Sequence, residues 1–262
     1  MSLACPWAHR TLIFRALKRL DAIVSLSVVE PLMRDNGWTL APGVDPVNGA
    51  RYLHEIYTKA EPRYTGRVTV PVLWDKKTGA IVNNESAEII RMFNGAFDGV
   101  AGVDATLDFY PKALRTEIDA VNHVVYERVN NGVYRAGFAT TQEAHDEAVD
   151  ALFETLDELE ARLARQPYLV GERPTEADWR LFTTLVRFDA VYVGHFKCNR
   201  RRLIDYPHLA AYARRLYEVP GVAETVDFDH IKRHYYGSHR ALNPSGIVPK
   251  GPDADFRRFS GR

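Results

Sequence analysis

A cysteine followed at once by a proline opens the first apolar-periodic stretch of this chain. Cys5-Pro6-Trp7-Ala8-His9-Arg10 stands directly before Leu12, Ile13, Ala16, Leu17 and Leu20. Proline suits the first helical position, where its missing N–H has no partner to lose, so the pattern predicts a helix beginning at Pro6 with Cys5 at its N-cap. Unpaired N–H groups and the positive end of the helix dipole favour a thiolate over a thiol at that spot. Two other uses of the residue compete with a nucleophile. A free cysteine is often a small buried hydrophobe, and Cys5-x-x-x-His9 together with His195-x-x-Cys198 offers four zinc ligands on paper. The adjoining Pro6, His9 and Arg10 favour an accessible, electropositive turn and a reactive thiol, and the zinc spacing is of a kind that chance supplies.

The totals narrow the field further. A chain of 262 residues can bury a large core and is long enough for two small domains. Thirty-four Lys and Arg balance 34 Asp and Glu, so neither nucleic acid nor an anionic membrane is strongly attracted. The basic run Lys197, Arg200, Arg201, Arg202 reads as a solvated loop. Two cysteines, far apart, give no disulfide framework and no Cys-x-x-Cys, so redox chemistry here needs one protein thiol and a second thiol brought from outside. No signal pattern and no apolar run of about 18 residues is present. The expectation is a cytoplasmic protein with no nucleic-acid or membrane partner and no metal.

Periodicity divides the chain. Ile23–Val29 alternates and is β-branched, which predicts a strand. Residues 31–66, rich in Pro, Gly, Asn and Tyr, read as a long surface excursion. Val68-Thr69-Val70, Pro71, Val72–Asp75, the turn Lys76–Gly79 and Ala80-Ile81-Val82 read as strand, interruption and hairpin. A helix over Ser86–Phe93 follows, entered through Asn84, Glu85 and Ser86. Beyond Asp108 the period becomes helical. Leu114, Ile118, Val121, Val125 and Val129 form one long face, and Ala148, Leu152, Leu156, Leu159 and Leu163 another. Thr175-Glu176-Ala177-Asp178 is a capping-box variant ahead of Leu181, Leu185 and Val186, and a last helix is predicted from His208 to Tyr217. The fold class is α/β plus all-α, a thioredoxin-like domain over 1–100 and a helical domain over 108–242, with a tail over 243–262 too irregular to assign.

A helix-starting thiol, then strand, proline, strand and hairpin, is the order of a thioredoxin-like domain. The proline before the hairpin is then expected in the cis form, turning the Val70 backbone toward the thiol, where an extended peptide can pair with it. The helix start at Glu85-Ser86 offers N–H groups for a carboxylate and Glu85 for an ammonium. A ligand carrying both is a γ-glutamyl amino acid, and glutathione is the natural candidate.

The strings Cys5–Arg10, Gly66–Asp75, Asn84–Ile90, Asn130–Tyr134, Arg187–Tyr192 and His234-Tyr235-Tyr236 closely resemble the glutathionyl-hydroquinone reductases, the Xi class of glutathione transferases. Tyr168–Gly171 leading into Thr175–Asp178 is similar to the helical domain of glutathione transferases in general. The resemblance implies that Cys5 is the nucleophile and that Trp38, Arg67, Val68, Thr69, Val70, Pro71, Glu85 and Ser86 hold glutathione as co-substrate. It implies that Tyr134 gives or takes a proton, that Tyr192 and Tyr235 stabilise the thiolate, that aromatic glutathione conjugates are the partners, and that the protein is a homodimer. Two other activities fit less well: an omega-like transferase acting as thioltransferase or dehydroascorbate reductase, and a non-catalytic interaction module. Members of this family carry a further N-terminal segment holding the first strand of the sheet. Here four residues precede Cys5, so the resemblance implies a sheet with that strand missing and an edge left unpaired.

Overall fold

The structure, a computed structural model, describes residues 1–252. The part of the C-terminal tail over 253–262 lies outside the described residues. The described residues form two compact units: the first holds residues 1–105 with 225–240 and 244–248, the second residues 106–224 with 241–243 and 249–252.

The first unit opens with α1 (Pro6–Leu17), whose proline occupies the initial turn as expected. Ala8, Leu12, Ile13 and Phe14 are buried, and the helix packs against α3 (Ser86–Gly95). β1 (Leu73–Asp75) and β2 (Ala80–Asn83) form the antiparallel hairpin, with Asp75 opposite Ala80 and Trp74 opposite Ile81. Asp75 shapes its turn by accepting the Lys77 N–H at 2.8 Å, and Gly79 takes a φ of +67°, a conformation that costs glycine nothing. The excursion expected over 31–66 contains a helix, α2 (Leu53–Ala60). Its apolar face is only Leu53, Ile56 and Tyr57, too short to register as a period, and Glu55 caps it by accepting the N–H groups of Arg51 and Tyr52 at 2.8 and 3.2 Å.

Ile23–Val29 forms no strand, and its first two residues still belong to a turn bonded back to the Leu20 carbonyl, which corrects the expectation from its alternation. A ladder needs a partner, and Met1 pairs here: its amine donates to the Ser27 carbonyl at 2.6 Å and its own carbonyl accepts from the Val29 N–H at 2.8 Å, the bonding of two parallel chains. Among the described residues the backbone of Ser25 and Leu26 makes no hydrogen bond, and no strand lies between this segment and β1. A cavity of about 670 Å³ occupies that place, lined by Ile23, Leu26, Val72, Trp74, Leu12 and Phe93 among others. Val68–Val70 is likewise extended but outside any ladder.

The helix α9 (Phe228–Ser238) groups with this first unit, although chain order sets it after the helical region. Thr225, just before it, meets His9 Nε2 at 2.8 Å, and His234 Nδ1 lies 2.9 Å from the Pro31 carbonyl.

The second unit is helical. The long face foreseen from Leu114 to Val129 is divided into α4 (Arg115–Val124), a wide π-helical turn over Val125–Asn130, and α5 (Gly132–Gly137). α6 (Gln142–Leu163) carries the second predicted face, α7 (Glu176–Arg187) the capping box, and α8 (Pro207–Tyr217) the last predicted helix. All of α7 is buried, as for a helix at the middle of a bundle. Its carboxylates are paired internally. Asp178 accepts the Leu169 and Thr175 N–H groups at 2.8 and 2.7 Å and the Thr175 and Tyr212 hydroxyls at 2.9 and 2.8 Å. Glu176 takes the Asn122 amide at 2.8 Å. A second π-helical turn, Phe188–Tyr192, follows α7.

Candidate active site

Cys5 caps α1 with extended backbone angles, φ −74° and ψ 122°, and its carbonyl starts the helix by accepting the His9 N–H at 2.9 Å. The side chain is half-buried against the cluster that contains Trp38, Tyr57 and Val70. The Val70-Pro71 peptide is cis, as the strand–proline–strand order predicts, and the Cys5 thiol reaches the Val70 carbonyl at 3.8 Å. Among the described residues the Val70 N–H makes no hydrogen bond, so it is free to pair with an extended peptide beside the thiol. The other thiol is of a different kind. Cys198 is fully enclosed, points at the Phe196 carbonyl at 3.8 Å, and burial pushes its pKa up to about 12. Zinc gains no support: His9 is engaged with Thr225, and no group of three or more His, Cys, Asp or Glu is placed to hold a metal among the described residues.

The start of α3 supplies the second half of the site. Glu85 is the N-cap, with one carboxylate oxygen accepting the Ala87 N–H at 3.0 Å and the Ser86 hydroxyl at 3.3 Å. Its other oxygen has no partner among the described residues, and neither has the Ser86 N–H. Behind Ser86 lies the buried Arg10, 3.5 Å from the hydroxyl and with its guanidinium 4.5 Å above the Trp7 ring. A free N–H at a helix start, with a cation behind it, suits a carboxylate. The open oxygen of Glu85 suits an ammonium. These donors and acceptors fit the γ-glutamyl end of glutathione, and the Val70 N–H fits its peptide.

Trp38 is buried to 8% exposure and stacks on His234 with ring centroids 4.9 Å apart and planes 20° from parallel. Arg67 is exposed and its carbonyl accepts the Tyr64 hydroxyl at 2.6 Å, while Val68 is half-buried. Thr69 is tied to Tyr57 of α2, and through it to Asn84. Neither Tyr57 nor the stacking His234 has a sequence signature for such a role, because a tyrosine or histidine within a helix reads as packing.

The three expected tyrosines divide between the units. Tyr235, on α9, is in the first unit with Cys5 and meets His234 and His239 edge-on at 5.4 Å each. Tyr134 and Tyr192 are in the second, 6.2 Å apart and both against Phe196, at 5.3 and 5.4 Å. Tyr192 is fully buried and Tyr134 half-buried. Gly137 lets Phe196 approach this cluster, since a Cβ there would stand 2.2 Å from the Phe196 ring.

Comparison with known proteins agrees with this arrangement. Residues 4–96 match the family model of the glutathione S-transferase N-terminal domain, and residues 142–215 that of the C-terminal domain. The chain is 57% identical to glutathionyl-hydroquinone reductase YqjG of Escherichia coli (strain K12), over 100% of this chain and 81% of that protein. The solved glutathione-bound structure of YqjG superposes with a TM-score of 0.94 at 56% identity, covering 98% of this chain and 84% of that one. The glutathione-S-transferase Xi of Phanerochaete chrysosporium superposes with a TM-score of 0.93 at 55% identity, covering 96% and 88%. The chain thus belongs to the glutathione S-transferases, in the Xi class that is the family of the glutathionyl-hydroquinone reductases.

Proposed function

We infer that this protein is a glutathione-dependent oxidoreductase that reduces glutathionyl-hydroquinones to hydroquinones. The observation that carries the reading is the pairing of a helix-capping thiol, 3.8 Å from the Val70 carbonyl, with an unbonded N–H on the same residue. Such a pairing would suit a nucleophile beside a strand-like seat for a tripeptide, which supports the reading.

The cycle has two sulfur exchanges. Cys5 thiolate attacks the glutathione sulfur of the conjugate, an S–S bond forms, and the ring C–S bond breaks with its electron pair going to the ring carbon. That carbon takes a proton, for which the resemblance offers Tyr134, and the hydroquinone leaves. A second glutathione, as thiolate, attacks the mixed disulfide and departs as glutathione disulfide, restoring Cys5. On this reading Trp38, Arg67, Val68, Thr69, Val70, Pro71, Glu85 and Ser86 hold glutathione, and Tyr192 and Tyr235 support the thiolate by hydrogen bonding. Aromatic glutathione conjugates as partners, a homodimer, a cytoplasmic location and the domain division 1–100, 108–242 and 243–262 belong to the same reading. No described helix is long and apolar enough to cross a membrane.

The test is Cys5→Ser. The wild-type chain, exposed to glutathione disulfide, is expected to carry one glutathione adduct, at Cys5 and not at Cys198. The variant is expected to carry none and to lose turnover of glutathionyl-hydroquinone by more than about 1000-fold, as for removal of a covalent nucleophile. Retained reductase turnover in the variant would remove Cys5 from the mechanism. Faster turnover of dehydroascorbate or a small disulfide than of glutathionyl-hydroquinone would move the activity to the omega-like type.

A further inference from the structure

One phenol joins the two stretches of chain from which the glutathione site is built. Tyr57, on the unforeseen helix α2, is 2% exposed, and its hydroxyl donates to the Thr69 carbonyl at 2.8 Å. The same oxygen accepts the Thr69 N–H at 3.3 Å and the Asn84 side-chain amide at 3.1 Å. Thr69 sits between Arg67 and Val70, and Asn84 immediately precedes Glu85 and Ser86. A phenol has one proton to donate and two lone pairs. All three are committed here, so this hydroxyl has nothing left with which to touch a ligand.

The need for such a tie follows from the backbone. Residues 67–70 belong to no ladder, so strand pairing does not fix where the Val70 N–H points. The ring of Tyr57 is itself wedged by Tyr64, centroids 4.9 Å apart, and the Tyr64 hydroxyl holds the Arg67 carbonyl at 2.6 Å. Helix α2 thereby holds the segment at Thr69 through Tyr57, Tyr64 just past the helix holds it at Arg67, and the Thr69 hold also reaches the approach to α3.

We propose that Tyr57 is a positioning residue for glutathione: its hydroxyl sets the Val70 N–H and the Glu85-Ser86 helix start at the spacing that one tripeptide spans. The proposal rests on the glutathione site described above. It goes beyond that site because Tyr57 acts through Thr69 and Asn84 and makes no contact of its own with ligand. Misplacing a binding group by about 1 Å is enough to weaken binding strongly.

Tyr57→Phe keeps the ring and removes the tie. Thr69 is exposed, so its freed N–H and C=O turn to water and the fold survives. The expected result is a rise of about three- to tenfold in the Kd for glutathione, read by calorimetric titration of the full chain, which is the share one hydrogen bond carries. Amide exchange at Thr69 should quicken in the free protein, and the rate of Cys5 alkylation should stay as in wild type. Asn84→Ala, an exposed change, should weaken glutathione binding less, and because Asn84 also donates to the Thr69 hydroxyl at 3.5 Å, adding it to Tyr57→Phe should weaken binding further but by less than the sum of the two. Thr58→Ala is the control: its hydroxyl bonds only to carbonyls of its own helix, at 3.1 and 3.3 Å, and the Kd should not move. Wild-type affinity in Tyr57→Phe, within about twofold, overturns the proposal, as does a lowered melting temperature with no change in Kd. If the wild-type chain itself binds no glutathione, the site reading falls and this proposal with it; if it binds and Tyr57→Phe binds equally, only the role of Tyr57 falls.

Discussion

The two cysteines differ in setting: Cys5 caps a helix and is half-buried, whereas Cys198 is enclosed in the second unit. Cys5 stands at the N-cap of α1, the end of a helix whose dipole favours negative charge. For Cys198 burial alone raises the pKa to about 12, leaving almost no thiolate near neutrality. Histidines are tuned by the same cause. His239 ends α9 against Tyr235 and His234, and burial lowers its pKa to about 4; His230 is lowered by burial as well. A folded pKa below the unfolded value of about 6.5 means that the unfolded chain binds more protons in the interval between them. Stability is therefore full above pH 6.5 and is lost as pH falls toward 4. Urea midpoints should drop over that range, and His239→Gln should flatten the drop; an unchanged slope in the variant would assign it to other groups.

At the scale of elements, patterns with a local cause survive translation into structure, and those needing a distant partner do not. The proline start of α1, the turn of the hairpin and the capping box of α7 each depend on neighbours within a few residues, and each stands where the sequence predicts it. Ile23–Val29 has a strand's alternation, yet strand formation requires a second chain alongside, and the two hydrogen bonds with Met1 do not make a ladder. The capping box also shows how much one buried group can hold. Asp178 closes the start of α7, receives the Leu169 N–H, and takes the hydroxyl of Tyr212 from α8. Burial raises its pKa while those hydrogen bonds lower it, and Tyr212 is raised well above its usual value by burial and by the carboxylate. Asp178→Ala leaves these donors buried without an acceptor and should cost about 3 kcal/mol or more, measured by urea unfolding. Asp178→Asn, which keeps an acceptor, should cost less.

At the scale of the whole molecule, charge is neutral in sum and paired in detail. The basic run around residue 200 is met by carboxylates: Arg200 by Asp150, Arg201 by Asp157 at 2.8 Å, and Arg202 by Asp205 at 2.7 Å. Such a loop presents little free positive field. The chain should pass through a DNA-cellulose column unretained at about 0.1 M salt, and salt-sensitive retention would contradict that account. Much of the site could be read without a structure, since the thiol, the proline before the hairpin and the acid–serine helix start each follow a short-range rule. Tyr57 and the stacked Trp38–His234 pair could not, because nothing in the composition of α2 or α9 says which loop each helix will face.

The sequence by itself determined the starts of α1, α3 and α7, the cysteine at the first of them, the hairpin and the alternation of residue types that separates an α/β half from a helical one. These depend on dihedral preferences, capping and period, all local. Only the tertiary structure decided that one hydroxyl ties Thr69 to Asn84, that His234 stacks on Trp38, and that the segment before Val29 forms no strand. Those outcomes depend on contacts between residues tens of positions apart, whose loop-closure entropy and packing no local pattern encodes.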